Sequence, residues 1–428
     1  MNANTLPQLH IQPPAGWLND PNGIVHRHDG WHVFHQANPR SPVHGDIHWG
    51  HVSSPDLVTW TQHPIAFGPT PGGPDSGGCW SGVYLPWLSR PAVAYSGVVS
   101  GQPSSTVCVR EALDDSLDQW TSPRVVASTP FGVKVMRDPF CFTWGHRQLA
   151  VLGAQLTSGE AAVLLYDVAD AHDWRYLGVL LHSGELDVKV PLAQIWECPQ
   201  LVIDGERCWL LVSRWVAGET LDVVAMSGRV TDDDGLPRLR ITDVECVDAG
   251  DAFYAPQVAL DPGHAPLLFG WVREPDETAA AASGISGCLT LPRRVDTSSG
   301  RLRFVVDDGL QRYADTAPAM SRELAAGRHT ELPAQARVRG RADVLRVIGR
   351  ARDVRIGCPA GEFELWTDGE VVEVFPAGAP PLTLRDSDTG SWRLSSPESV
   401  ELTVWQVAPP QTLDAPPATA AAPVPTTA

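Results

Sequence analysis

The sequence contains no apolar run approaching the roughly 20 residues of a membrane-spanning helix. Its first residues, MNANTLPQLHIQPPAG, lack the basic start and apolar stretch of a secretory leader, so a cytoplasmic location is expected. Basic residues are scarce: 32 Lys and Arg stand against 50 Asp and Glu, a net charge of −18. That balance argues against nucleic acid and anionic membrane surfaces as partners. It argues less strongly against a phosphorylated substrate, because one local Arg pair suffices to bind a phosphate. Cysteine is thinly scattered. Cys79, Cys108, Cys141, Cys198, Cys208, Cys246, Cys288 and Cys358 form no CxxC pair and no dense framework. Free buried thiols are the expectation. Helical signals are few.

What is present is a globular chain of 428 residues, 43% hydrophobic, long enough for two domains. Short apolar runs such as WHVFHQ, AVLLYDVA, CWLLVSRW and PLLFGWV are broken by Gly, Pro, Asp and Asn, the pattern of an all-β fold. A weak repeat runs through HWGHVSSPDLVTW, VCVREALDDSLDQW and VLLYDVADAHDWRYLG. Each copy is a strand, a polar turn with Asp, then Trp60, Trp120 or Trp174. The spacing of about 55–60 residues suits one four-stranded propeller blade, with a sandwich of recurring hairpins as the alternative. After CLTLPRRV the texture changes to alternating strands joined by turns. The expected division is a catalytic domain over 1–298, a β-sandwich over 299–409, and a disordered Pro/Ala-rich tail over 410–428. Tryptophan is abundant, 16 against 10 Phe and 6 Tyr. Indole faces suit the apolar faces of sugar rings, although most of these Trp residues have ordinary core roles.

Three carboxylates sit in apolar settings beside proline: Asp20 in WLNDPNG, Asp138 in VMRDPFCF and Glu197 in IWECPQL. Asp20-Pro21-Asn22-Gly23 reads as a tight turn. Proline interrupts ladder pairing, as expected where strands end at a pocket mouth. The physical reading is a glycosidase. Retaining hydrolysis needs a carboxylate nucleophile and a carboxylic acid donor about 5–5.5 Å apart. Asn19 and turn N–H groups are placed to hold Asp20 ionised. Glu197, between Trp196 and Cys198, has the more apolar context that raises a donor's pKa. Arg137 beside Asp138 is expected to keep that acid ionised. No metal and no cofactor are expected. His26, His28, His32 and His35 follow no zinc spacing, although strand alternation would put the first three on one face.

Taken together, these motifs resemble glycoside hydrolase family 32, the β-fructosidases (invertase, sucrose-6-phosphate hydrolase, levanase, inulinase). The resemblance runs from about Leu9 to Val295 and more loosely to about residue 406. It implies a five-bladed β-propeller followed by a small β-sandwich. It also implies that Asp20 is the nucleophile, that Asp138 grips fructose hydroxyls, and that Glu197 is the acid/base. With Asn19 and Arg137, Gln36, Trp49 of HWGH, Trp80 and Ser81 of CWSG, and Tyr254 of DAFYAPQ are the implied substrate contacts. LWTDGEVVEVF resembles a sandwich strand of the family. His44 and Ile285 stand where the family often has Trp, which alters the pocket wall.

The implied activity is retaining hydrolysis of terminal non-reducing β-D-fructofuranosides, either sucrose or short fructo-oligosaccharides. Sucrose 6-phosphate hydrolysis and fructosyl transfer are alternatives with the same triad. A non-catalytic sugar-binding protein is the reading from another class. The only expected partner is a small saccharide; oligomeric state is left open. The three acids should converge on one funnel at the propeller axis.

Overall fold

The computed structural model describes residues 6–260, 264–275, 277–387, 391–410 and 413–414. It is almost entirely β. Five consecutive sheets, each built on four antiparallel strands in chain order, occupy the chain from Gly16 to Val306. Their first strands are Gly16–Arg27, Gly78–Tyr84, Val133–Trp144, Ile195–Asp204 and Phe253–Ala259. The run AVLLYDVA is apolar without a break up to Tyr166 because both faces of its strand, Ala161–Asp167, are covered that far. One apolar cluster extends from Ala94 in the second sheet through Leu152 and Leu164 to Leu210 and Val258 in the fifth.

The sequence repeat has a structural counterpart. Its copies fall at the third strands of the first three sheets, His48–Ser54, Thr106–Glu111 and Ala161–Asp167. Trp60, Trp120 and Trp174 follow, all buried. In the first two copies the turn passes through a left-handed leucine, Leu57 and Leu117, each at φ 61°.

The break expected after residue 298 falls inside the fifth sheet. Its fourth strand, Arg303–Val306, pairs with Arg293–Asp296. After the helix Asp308–Asp315 come a six-stranded and a four-stranded antiparallel sheet with their own apolar core around Val338, Leu365 and Val404. Part of the tail expected to be disordered is paired instead: Leu413–Asp414 runs parallel to Thr61–Gln62. Residues 411–412 and 415–428 lie outside the described residues. All eight cysteines are free thiols; seven are buried and Cys246 is exposed. Among the described residues no helix is long and apolar enough to cross a membrane.

Buried charges join the two parts. Arg293 reaches Asp248 at 2.8 Å and Glu373 at 2.6 Å, all three fully buried. His10 bridges Asp368 at 2.7 Å and Glu373 at 3.1 Å. The acids of LWTDGEVVEVF therefore anchor the chain's beginning and the fifth sheet. Burial alone would lower the His10 pKa, but hydrogen bonds to Asp368 and Glu373 override it and raise the group to about 9. A folded pKa above the ordinary 6.5 gives stability that is complete below pH 6.5 and lost as pH rises through 9. The span corresponds to roughly 3 kcal/mol. Denaturant unfolding at pH 6 and pH 9.5 is expected to show a loss of this order, and His10→Gln should flatten it. An equally steep dependence in the variant would remove His10 as its source.

Candidate active site

Every first strand is bulged. Register shifts fall between Leu18 and Pro21, Cys79 and Gly82, Glu197 and Gln200, and Tyr254 and Gln257. In the third sheet the shift lies opposite Asp138 and Pro139, between Val151 and Gly153. The segment expected as a turn, Asp20 to Gly23, is thus strand interior. The prolines do not end strands; Pro21, Pro139, Pro199 and Pro256 all lie within them. Asp138, Cys198 and Ala255 each precede a proline and have φ of 59°, 46° and 44°. A left-handed residue before proline is disfavoured twice over, at about 1–3 kcal/mol per residue, and such strain gathers where side chains must be aimed. The bulge at Glu197 also needs a small neighbour. A Cβ on Gly153 would lie 2.1 Å from the Trp196 carbonyl oxygen.

The bulges bring the three acids together. The Cys198 thiol lies 3.6 Å from Oδ2 of Asp20 and 3.6 Å from Oδ2 of Asp138. Glu197 is the residue before it. All three acids are buried residues. Asp20 accepts from Asn19 Nδ2 at 3.1 Å, from Gln36 Nε2 at 3.1 Å and from the Ser81 hydroxyl. Gln36 Nε2 also reaches Ser81 Oγ at 2.5 Å, and the Trp17 indole donates to Asn19 Oδ1 at 2.9 Å. Trp17 therefore orients Asn19, a direct partner of Asp20.

The electrostatics differ from the expectation. Asp20 is not held low. Burial pushes it up to about 6, with Ser81, Asn19 and Cys198 only partly offsetting that and the Glu197 charge adding to it. Arg137 does not keep Asp138 ionised. Its guanidinium contacts Glu197 Oε1 at 3.3 Å. Burial pushes Asp138 up, the Glu197 charge adds to the rise, and Arg137 opposes it without prevailing. Glu197 is also pushed up by burial, against Arg137 and the Tyr254 hydroxyl, which donates to Glu197 Oε2 at 2.7 Å. Two buried acids this close release their protons as a pair.

The wall residues separate into two groups. Trp80 is half-buried, with Arg137 above its ring at 5.6 Å and His44 edge-on at 5.9 Å. His44 also contacts Trp17. Ile285 pairs with Gly16 beside them. Trp49 is placed differently from the expectation. It is fully buried against Phe34 and Phe67, and its indole donates to the Trp80 carbonyl oxygen at 3.0 Å. It backs Trp80 and has no face free for a sugar. Sequence reasoning missed Trp271, which packs edge-on against Trp17 at 5.6 Å and Tyr254 at 6.4 Å. It also missed the bridging thiol of Cys198 and the Ser96 hydroxyl that receives the Asp138 backbone N–H at 2.7 Å. The proline directly after Asp20, Asp138 and Cys198 was the available signal of the bulges.

Buried polar atoms are normally paired. Around these acids Gln36 Oε1, Arg137 Nε and Trp271 Nε1 have no hydrogen-bond partner. Acceptors, donors and paired carboxyl groups in one apolar setting suit a polyhydroxylated ligand and proton transfer to its oxygens. A cleft of about 850 Å³ lies elsewhere, between Arg301–Val306 and the C-terminal sheets, and contains none of the three acids.

Comparison with known proteins agrees with this geometry. The chain is 30% identical over 315 residues to the raffinose invertase of Escherichia coli, matching 69% of this chain and 63% of that protein. It is 30% identical over 306 residues to the sucrose-6-phosphate hydrolase of Bacillus subtilis, with the same coverage of 69% and 63%. The match thus spans less than two thirds of these curated relatives. Among solved structures, a GH32 beta-fructofuranosidase of Bombyx mori superimposes with a TM-score of 0.80 at 22% identity, covering 96% of this chain and 95% of that one. A sucrose-6-phosphate hydrolase of Lactobacillus gasseri gives 0.78 at 20% identity, covering 95% and 94%. These two share the fold. Residues 10–306 match the model of the glycosyl hydrolases family 32 N-terminal domain. With more than half its length inside that match, the chain belongs to glycosyl hydrolases family 32.

Proposed function

We propose that this protein is a retaining β-fructofuranosidase acting on terminal non-reducing β-D-fructofuranosides, sucrose and short fructo-oligosaccharides. One observation carries the reading: Asp20 and Asp138, from the first and third sheets, both touch the Cys198 thiol, and the charge of Glu197, its neighbour in the fourth sheet, acts on both. Asp20 forms a bond to the anomeric carbon as the glycosidic oxygen leaves with the Glu197 proton. Glu197 then takes a proton from water, whose oxygen displaces Asp20 and releases fructose. Asp138 binds fructose hydroxyls. Asn19, Gln36, Ser81, Arg137, Trp80 and Tyr254 hold the ring and the acids. Retention requires Asp20 and Glu197 carboxyl groups about 5–5.5 Å apart.

The same proposal includes a closed five-bladed propeller. In support, the first strand of each sheet contacts the first strand of the next, and that of the fifth contacts that of the first. The propeller would run to Val306 and the sandwich to about residue 409. Eight free thiols fit a reducing, cytoplasmic setting.

Sucrose 6-phosphate is a second reading. Several relatives bear that activity in their names. A product assay on sucrose, sucrose 6-phosphate, kestose and inulin tests both readings; no release of fructose from any of them overturns the assignment.

The pH profile gives a further test. The nucleophile must be ionised, and Asp20 is raised to about 6. kcat/KM should therefore fall as pH drops below about 6. On the alkaline side it should fall as the pair of Asp138 and Glu197 loses its remaining proton. A rate that stays flat from pH 6.5 to pH 4 would contradict the buried nucleophile.

A further inference from the structure

A second cluster of chemistry-bearing side chains lies in the outer strands of the first sheet. His51 is on the third strand, His48–Ser54, and His63 follows the fourth, Thr61–Gln62. Asp118 comes from the second sheet, in the turn between Thr106–Glu111 and Arg124–Ala127. His51 Nδ1, His63 Nδ1 and a carboxylate oxygen of Asp118 all lie within 4.8 Å of one another. His51 Nδ1 is 3.7 Å from Asp118 Oδ1, and His63 Nδ1 is 3.2 Å from the same oxygen.

The surrounding hydrogen bonds fix the tautomers. Asp29 lies 3.0 Å from His32 Nε2. A carboxylate accepts, so His32 Nε2 carries the proton and neutral His32 presents a bare Nδ1. That atom lies 2.9 Å from His51 Nε2, which must therefore donate. Neutral His51 is left with a lone pair on Nδ1. The residue is fully buried, and this nitrogen has no hydrogen-bond partner. A buried lone pair thus faces a carboxylate oxygen, an arrangement that calls for a cation between them. The Asp29–His32 relay is the kind of outer support that sets the ring orientation and basicity of a metal-bound histidine. On His63, Nε2 is 2.8 Å from the Ser53 hydroxyl, which can accept the ring proton when it moves there from Nδ1.

From this arrangement we propose that His51, His63 and Asp118 form a structural site for a divalent transition-metal ion of the zinc class, pinning the first sheet to the second. Donor separations in a tetrahedral zinc site run about 3.3–3.5 Å, from metal–ligand distances of about 2.0–2.2 Å. The observed 3.2 and 3.7 Å are close to these, and the partly exposed His63 ring, stacked on His51 at 4.0 Å, turns out of the stack so that both lone pairs meet the ion. Water completes the fourth position. Binding moves the His63 ring proton from Nδ1 to Nε2, where it faces the Ser53 hydroxyl. The site belongs to none of the histidines grouped from the sequence alone except through His32, its outer support. It is also independent of the sugar chemistry.

The test uses the full chain, stripped with a chelator and titrated with Zn²⁺ by calorimetry. One equivalent should bind. Zinc at one hundred times its dissociation constant should raise the thermal midpoint by about 3 °C. Co²⁺ in place of zinc should give the intense visible absorption of a tetrahedral ion. Asp118→Asn and His63→Gln, both at partly exposed positions, should keep the wild-type circular dichroism and weaken binding at least about 10-fold. His28→Gln, at an exposed histidine outside the cluster, should leave binding intact. Absence of a stoichiometric zinc ion in the wild type overturns the proposal, as does unchanged binding in both cluster variants.

Discussion

Asp20→Asn is expected to lower turnover on sucrose by at least about 10⁴-fold while leaving the protein folded. Removing a nucleophile eliminates the covalent route, and losses of this order are usual when one member of a catalytic set is deleted. The structural side is specific to this site. Asp20 accepts hydrogen bonds from Asn19, Gln36 and Ser81. Asparagine keeps one acceptor oxygen, and the Ser81 hydroxyl can turn to receive the new amide N–H. The substitution also removes one negative charge from a buried group of three acids, where the Glu197 charge already raises Asp20. The thermal midpoint should therefore stay level or rise. Relieving that repulsion should also lower the apparent pKa of the remaining pair, because the Asp20 charge is one of the influences raising Asp138. Activity above about a tenth of wild type, with the fold intact, would remove Asp20 from the nucleophile role. A variant that loses near-ultraviolet dichroism would instead show that the carboxylate holds the bulge of Gly16–Arg27 in place.

The strand content, the repeat and the three acids were legible in the sequence, because each depends on local pattern. Trp60, Trp120 and Trp174 follow turns whose Asp and strand residues are adjacent in the chain. The bulges were not legible. Asp20-Pro21-Asn22-Gly23 has the composition of a turn, and only pairing with the unbroken strand Gly30–Asn38 keeps it extended. The role of Arg137 was misread for a related reason. Adjacency in sequence suggested that it neutralises Asp138, but neighbouring residues of a strand face opposite ways. The guanidinium turns instead to Glu197, sixty residues on and in the next sheet. Trp49 shows the limit of reasoning from residue type. An indole suits a sugar face, yet only the packing of Phe34, Phe67 and Tyr95 shows that both faces are already covered. The clamp of His10 on Asp368 and Glu373 joins the two ends of the chain, and no local pattern encodes it. The same holds for the pairing of His51 and His63 with Asp118, which depends on two sheets meeting.

Glu197→Gln should separate substrates by leaving group. A general acid contributes most where the departing oxygen is strongly basic, typically about 10²–10⁴-fold. Sucrose, whose leaving group is a sugar hydroxyl, should lose activity in that range. An aryl fructoside with a nitrophenol leaving group needs little protonation and should lose less than about 10-fold in the first step. Glutamine matches glutamate in shape, and the Tyr254 hydroxyl can still donate to its carbonyl oxygen. Its amide end, however, would meet Arg137, now donor against donor where an ion pair stood at 3.3 Å. A modest rise in KM from displacement of Arg137 is therefore expected, and it should appear equally with both substrates. The leaving-group effect should appear in kcat and differ between them. The alkaline limb of the pH profile should move as well, because one member of the titrating pair is gone and Asp138 no longer has the Glu197 charge holding its proton. Equal kcat losses on sucrose and the aryl substrate would show that Glu197 positions Arg137 and Tyr254 without transferring a proton. The acid role would then pass to Asp138, the buried carboxyl group that shares the Cys198 thiol with Asp20.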